Sequence, residues 1–130
     1  MLSRRSLLLA AVAASAAVSA PALAAGPQPF DDAAFAAAQK AGKPIFVAIH
    51  ASWCPTCKAQ TPILADLMAD SKFENLVYLV VDFDSQKDVV RRFRARMQST
   101  LIAFKGVSEE GRSVGVTNPG SIAALLNKTL

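Results

Sequence analysis

Spacing of apolar and polar positions divides this chain into a leader and a periodic body. Residues 7–18 form an apolar run interrupted only by Ser15 and followed by Pro21, too short to span a bilayer comfortably. Gly26-Pro27-Gln28-Pro29 reads as a linker that no helix tolerates. Asp31 is placed to cap a helix over 32–40, with Phe35 and several alanines as a thin apolar stripe and Gly42 as its stop. Residues 44–50 are apolar and partly β-branched, too short for a helix, and predict a buried strand. From 54 to about 70 the period is helical, with Ile63, Leu64, Leu67 and Met68 on one face and Pro62 inside, where it deletes a backbone hydrogen bond. Residues 76–83 are almost continuously apolar, as in a strand covered on both faces. A strand, helix and strand in this order imply a right-handed parallel crossover. Asp84 or Ser85 is expected to cap a third helix running to about Met97, with Val89, Val90 and Phe93 inward. A strand over 100–105, a polar turn over 106–111 and a returning strand over 112–116 predict a hairpin. Asn118 caps a last helix whose first position is Pro119. The expected order is α-β-α-β-α-β-β-α, an α/β arrangement.

At 130 residues the chain has room for one compact domain. Its hydrophobic fraction of 52% owes much to the leader. Ser3-Arg4-Arg5-Ser6-Leu7-Leu8 sets paired arginines before the apolar run, and Ala22-Leu23-Ala24 supplies the small residues of a cleavage site. The pattern resembles a twin-arginine signal, although adjacent arginines also occur in general secretory signals, so both export routes stay open. The chain therefore divides into an export signal at 1–24 cleaved after Ala24, a linker at 25–29 and one domain at 30–130. The competing reading, an uncleaved membrane anchor, is opposed by Pro21 and the cleavage site. Export implies a periplasmic, oxidising setting, with membrane contact only during export. Without Arg4 and Arg5 the chain carries 12 basic and 10 acidic residues, a balance that makes no case for nucleic-acid binding. The basic cluster Arg91, Arg92, Arg94 and Arg96 reads as a solvated helix face.

The chemistry concentrates in Trp53-Cys54-Pro55-Thr56-Cys57-Lys58, which holds the only two cysteines. Two intervening residues let both thiols meet at the first turn of a helix. There the free N–H groups and peptide dipoles favour thiolate over thiol, so Cys54 is the expected nucleophile with a lowered pKa. Cys57, one turn further in, is placed to resolve a mixed disulfide. A structural staple closing so short a loop removes little chain entropy. Structural zinc normally takes four ligands, and two cysteines with His50, the single histidine, fall short. Two inert buried thiols conflict with the helix-mouth position.

With W-C-x-x-C-K at the end of the first strand, Pro62 five residues after Cys57, Val-Val-Asp-Phe-Asp at 80–84, and Phe104-Lys105 with Val114-Gly115 in the hairpin, the chain resembles the thioredoxin family over roughly 30–130. That resemblance implies a thioredoxin-like fold, a mixed central sheet with flanking helices, and a redox-active Cys54–Cys57 disulfide. It also implies activity as a thiol:disulfide oxidoreductase on protein thiols and disulfides, served by an electron donor or acceptor, without cofactor or metal, as a monomer. The lead-in 49–54 is similar to that of exported thioredoxin-like reductases, so reduction is favoured over oxidation. Two departures stand out. Ser99 occupies the place of the family's cis-proline, where a trans bond is expected, and its hydroxyl is a candidate partner for the Cys54 sulfur. Ala48 and Val80 replace the family's buried carboxylate and lysine, which leaves His50, on the same strand face as Ala48, as a candidate proton acceptor. Trp53 is expected to shield the disulfide and meet partners, and Pro55 and Thr56 to tune its potential. The alternatives from other classes are a metal-binding or copper-chaperone module on Cys54, Cys57 and His50, and a redox-inert adaptor.

Overall fold

A computed structural model describes residues 13–16 and 26–130. The paired arginines, the cleavage site and most of the apolar leader lie outside the described residues, and 13–16 form no helix or strand. The fold is built on the strand β2 (Pro44–His50), whose residues 45–49 are all buried. Burying each large apolar side chain contributes about 1.5–3 kcal/mol, so this strand can be covered on both faces only at the middle of a sheet. With β1 a two-residue strand at Gln28–Pro29, the five strands lie in the order β1-β3-β2-β4-β5. β2 runs parallel to β3 (Val77–Asp82), and antiparallel to β4 (Thr100–Lys105), which pairs with the edge strand β5 (Ser108–Val114).

Alternation along β2 assigns the two faces. Phe46 and Ala48 join Leu101 and Ala103 beneath α2 (Pro55–Met68) and α4 (Pro119–Asn127), against Leu64, Met68, Ile122, Leu125 and Leu126. Ile45, Val47 and Ile49 join Leu79, Val81, Ile102 and Phe104 on the opposite face, under α1 (Asp32–Lys40) and α3 (Lys87–Arg92). That face carries an aromatic cluster, with Phe35 5.4 Å from both Phe93 and Phe104, edge to face. The caps expected at Asp31 and Asn118 are made: their carboxylate and amide oxygens accept from Ala34 N–H and Ser121 N–H at 3.0 Å.

The α/β class and mixed sheet agree with expectation, and four details differ. Gln28–Pro29, read as linker, form the short strand β1 beside β3, and Phe30 N–H donates to the Val80 carbonyl at 2.8 Å. Two residues are too few to produce an alternation, and an edge strand tolerates proline. The third helix begins one or two residues late, at Lys87 after Gln86, because the Asp82 carboxylate, rather than a cap at 84 or 85, takes the Asp84 and Ser85 N–H groups. It ends at Arg92, where Arg94 adopts φ 54° and Ala95 N–H returns to the Val90 carbonyl, a left-handed stop made without glycine. The hairpin turn narrows to Gly106 and Val107, and the expected turn residues Glu109 and Glu110 belong to β5. An edge strand polar on both faces gives no period-two signal.

Candidate active site

β2 delivers the chain to a turn in which Cys54 N–H donates to the Ala51 carbonyl at 3.1 Å. Cys54 then caps α2: its backbone is extended, its sulfur accepts from Cys57 N–H at 3.1 Å, and Pro55 fills the first helical position, where no N–H is needed. Thus the proline and the cysteine spacing together aim helix N–H groups at one sulfur. Both thiols are free and buried, and Cys57 Sγ lies 4.0 Å from the Ile49 carbonyl at the end of β2.

The two sulfurs are driven apart in acidity. Burial raises the Cys54 pKa, but hydrogen bonds from the Cys57 thiol, the Cys57 and Thr56 N–H groups and the Gln98 side chain outweigh it, and the net shift is downward. Burial, then the same bond seen from the other partner, pushes Cys57 up to about 11. The pair therefore consists of an ionisable outer sulfur and a protonated inner one that donates to it, which is the division of labour nucleophilic exchange needs.

Around the pair, Trp53 is 55% exposed, packs edge-on against Phe83 at 6.4 Å, and donates its indole N–H to the Asp84 carboxylate at 2.8 Å. The ring is thus held at the surface rather than in the core. Pro55 is exposed and Thr56 half-buried. Ser99 does lie at the site, buried and with no cis peptide bond among the described residues, but at φ 61°. Its hydroxyl donates to the Gln98 carbonyl, not to the Cys54 sulfur. The Ser99 hydroxyl therefore does not take the candidate role of a thiol partner.

Ala48 and Val80 are cross-strand neighbours, so the region behind the cysteines is apolar where a carboxylate and lysine were sought. His50 pairs with Asp82 in register and lines a cavity of about 320 Å3 with Pro27, Pro29 and Gln86; no hydrogen bond joins it to either sulfur. Hydrogen bonds from the Ser85 backbone chiefly hold the Asp82 carboxyl below its usual range, with the smallest share from His50. The histidine thus meets a carboxylate at the sheet end and not the dithiol. Among the described residues, no three His, Cys, Asp or Glu side chains gather to hold a metal ion.

Two residues of the site have no precedent in the motif reading. Gln60, one turn beyond Cys57, is 3% exposed on the otherwise apolar stripe Cys57, Leu64, Met68, and Gln98, in the loop before β4, adds the smallest of the contributions that lower the Cys54 pKa. A glutamine at an inward helical position was the available signal for the first; nothing in the spacing points to the second.

The family model described as Thioredoxin matches residues 27–128. A thioredoxin of Echinococcus granulosus is 36% identical over 90 residues, 69% of this chain and 82% of that protein. A thioredoxin of Chlamydia trachomatis is 33% identical over 84 residues, covering 65% of this chain and 80% of the relative. The solved structure of Trxlp from Edwardsiella tarda EIB202 superposes with a TM-score of 0.75 at 40% identity, over 78% of this chain and 98% of that one.

Proposed function

The chain belongs to the thioredoxin family, oxidoreductases of thiol–disulfide exchange, and from that premise we propose an exported reductase of protein disulfides, with Cys54 as its nucleophile and Cys57 as its resolving thiol. The observation that carries the assignment is the asymmetry of the pair: helix N–H groups and the Cys57 thiol all donate to Cys54, while Cys57 keeps its proton.

The reaction runs in two steps. The Cys54 thiolate attacks one sulfur of a substrate disulfide; a mixed disulfide forms and the other substrate sulfur leaves as a thiolate. Cys57 then attacks the Cys54 sulfur, gives its proton to solvent or to the departing sulfur, and releases the second substrate thiol. Two electrons have passed to the substrate, and the Cys54–Cys57 disulfide is recharged by a dithiol reductant. Ala48 and Val80, cross-strand partners, supply neither a carboxylate nor a lysine for the second deprotonation.

Reduction is supported by the similarity of the 49–54 lead-in to exported reductases. Stabilising the Cys54 thiolate acts in the other direction, since whatever favours the reduced form makes the disulfide more oxidising, at about 1.4 kcal/mol per 30 mV. Equilibration of the pair with glutathione buffers settles the balance: a potential below that of the compartment supports reduction, and one above it assigns oxidation. Export rests on the paired arginines, the apolar run and the small-residue site at 22–24. Mass spectrometry of the protein recovered from the periplasm should find an N-terminus at Ala25; retention of Met1 in the cytoplasm removes this part of the reading.

The roles are tested by trapping. Cys57→Ser should accumulate mixed disulfides with protein partners that dithiothreitol releases, Cys54→Ser should accumulate none, and neither should reduce insulin. Equal trapping by both variants contradicts the assignment.

A further inference from the structure

On the side of the sheet covered by α1 and α3, the β4–β5 hairpin is left partly open. Glu109, Arg112 and Val114 pair with Phe104, Ile102 and Thr100 and share their face, and α3, which ends at Arg92, leaves Val114 half exposed. Two cavities lie along this face, of about 510 and 270 Å3, and Arg94 and Arg112 line both, so the two join into one trough. Its smaller part reaches Thr100 and Val114, the pair next to Ser99 and Gly115. Ser99 N–H donates at 2.7 Å to the Ile49 carbonyl, which lies 4.0 Å from Cys57 Sγ. One end of the trough is thus a single residue pair away from the backbone that meets the inner sulfur.

Four arginines line the trough, Arg92, Arg94, Arg96 and Arg112, against one carboxylate, Glu109. Two of them already hold carboxylates: Arg92 pairs with Asp32 at 2.7 Å, and Arg112 takes Glu109 through two nitrogens, the fork geometry that suits a guanidinium. Among the described residues, Arg94 and Arg96 make no ion pair. The expected solvated helix face fails for both, because the helix ends before them. Arg94 instead sits at φ 54°, a conformation uncommon outside glycine, fixed by its N–H on the Arg91 carbonyl at 2.9 Å and by Ala95 N–H on the Val90 carbonyl at 3.1 Å. The Glu109 carboxyl reports the field in the trough: hydrogen bonding from Arg112 chiefly holds it below its usual range, and Arg94 adds the smallest share. A cleft lined by one sign of charge concentrates ligands of the other sign.

A small anion would meet the arginines and leave Met97 and Val114, both about half exposed, uncovered. An extended polypeptide covers both kinds of surface, since its side chains project at regular intervals along the trough. Building on the proposed function, in which the ligand at Cys54 is a protein disulfide, we propose that the trough between α3 and β5 docks an acidic segment of the substrate chain, with its carboxylates on Arg94 and Arg96 and its apolar side chains on Met97 and Val114. The trough thereby selects among disulfides by the residues that flank them. The competing account is a basic surface that is merely solvated.

The test is fluorescence anisotropy on the reduced protein with a labelled glutamate-rich peptide carrying serine in place of cysteine, and with its glutamine counterpart. Wild type should prefer the glutamate peptide by about fivefold, the effect of two exposed ion pairs, and the preference should fade as salt rises. Arg94→Gln/Arg96→Gln should abolish it. Lys43→Gln/Lys72→Gln, which removes the same charge outside the trough, should keep it, and Glu109→Gln, which removes the trough's own carboxylate, should tighten binding of the glutamate peptide. Equal binding of the two peptides, an arginine variant no weaker than the lysine control, or a Glu109→Gln protein that does not tighten overturns the proposal. Tighter binding of an oligothymidylate than of the glutamate peptide assigns the trough to nucleic acid and overturns it as well. With disulfide-bearing versions of the peptides, the preference should appear in KM at unchanged kcat. Binding does not require turnover, so a protein that binds as expected yet reduces no disulfide counts against the proposed function and leaves the trough standing, whereas normal insulin reduction without a preference for the glutamate peptide removes the docking site alone.

Discussion

At the scale of single residues, the site separates two identical side chains by their hydrogen bonds. Cys54 receives donors and is pulled below the ordinary thiol range despite burial, whereas Cys57, buried and acting as a donor, rises to about 11. The consequences for stability have opposite signs. The Cys54 shift contributes to the reduced fold above the ordinary thiol pKa, and that contribution is lost as pH falls through its lowered folded value. The Cys57 contribution is present below the ordinary thiol range and is lost as pH rises through about 11. Trp53 shows the same economy of means, since one indole bond to Asp84 fixes a half-exposed ring next to Cys54 in the chain. Asp84→Ala should therefore shift the emission of the single tryptophan and slow insulin reduction a few-fold, with little change in melting temperature because the bond is exposed. Emission identical to wild type would show that the ring is held by Phe83 alone. Much of this was legible in the sequence: two cysteines at that spacing behind an apolar strand already place one sulfur on a helix N-terminus. The conformation of Ser99 was not, because a left-handed φ at a serine leaves no mark in composition.

At the scale of elements, α2 and the loop before β4 behave as one unit. Pro55 starts the helix, Pro62 sits inside it, and Gln60 between them anchors the loop. Ser99 shows how this chain departs from the cis-proline pattern that its sequence otherwise resembles. Proline fixes φ near −65° and has no N–H, whereas Ser99 holds φ 61° and donates to Ile49 at 2.7 Å. Ser99→Pro is thus expected to destabilise the protein by at least about 2 kcal/mol in chemical denaturation and to lower exchange activity. A variant as stable as wild type would mean that the loop readily adopts a second backbone conformation. Gly115 closes the unit from the other side, with φ 70° and an N–H on the Ser99 carbonyl, a geometry that favours glycine. Element boundaries followed the sequence where a side chain caps a helix, as at Asp31 and Asn118. They departed from it where backbone alone makes the stop, as at Arg94, or where an edge strand is polar on both sides, as in β5.

At the scale of the whole molecule, the sheet presents β2, buried from 45 to 49 at the middle of the sheet, to the dithiol at its C-terminal end. Ala51, Cys54 and Cys57 form a small buried cluster of their own, which Phe83 joins to the core on the α1 and α3 side. Class and sheet type could be read from alternating apolar segments, whereas β1 could not, since two residues pair with β3 only after the rest of the sheet exists to receive them. The central claim, that this frame holds one sulfur ionised and the other protonated, is tested most directly by alkylating the reduced protein across a pH series and quantifying each cysteine by mass spectrometry. The account predicts that Cys54 is modified first, with a rate that levels off below the ordinary thiol pKa, and that Cys57 in Cys54→Ser reacts appreciably only in strongly alkaline buffer. Equal rates for the two thiols at neutral pH, or a Cys54 profile no different from that of free cysteine, would contradict it.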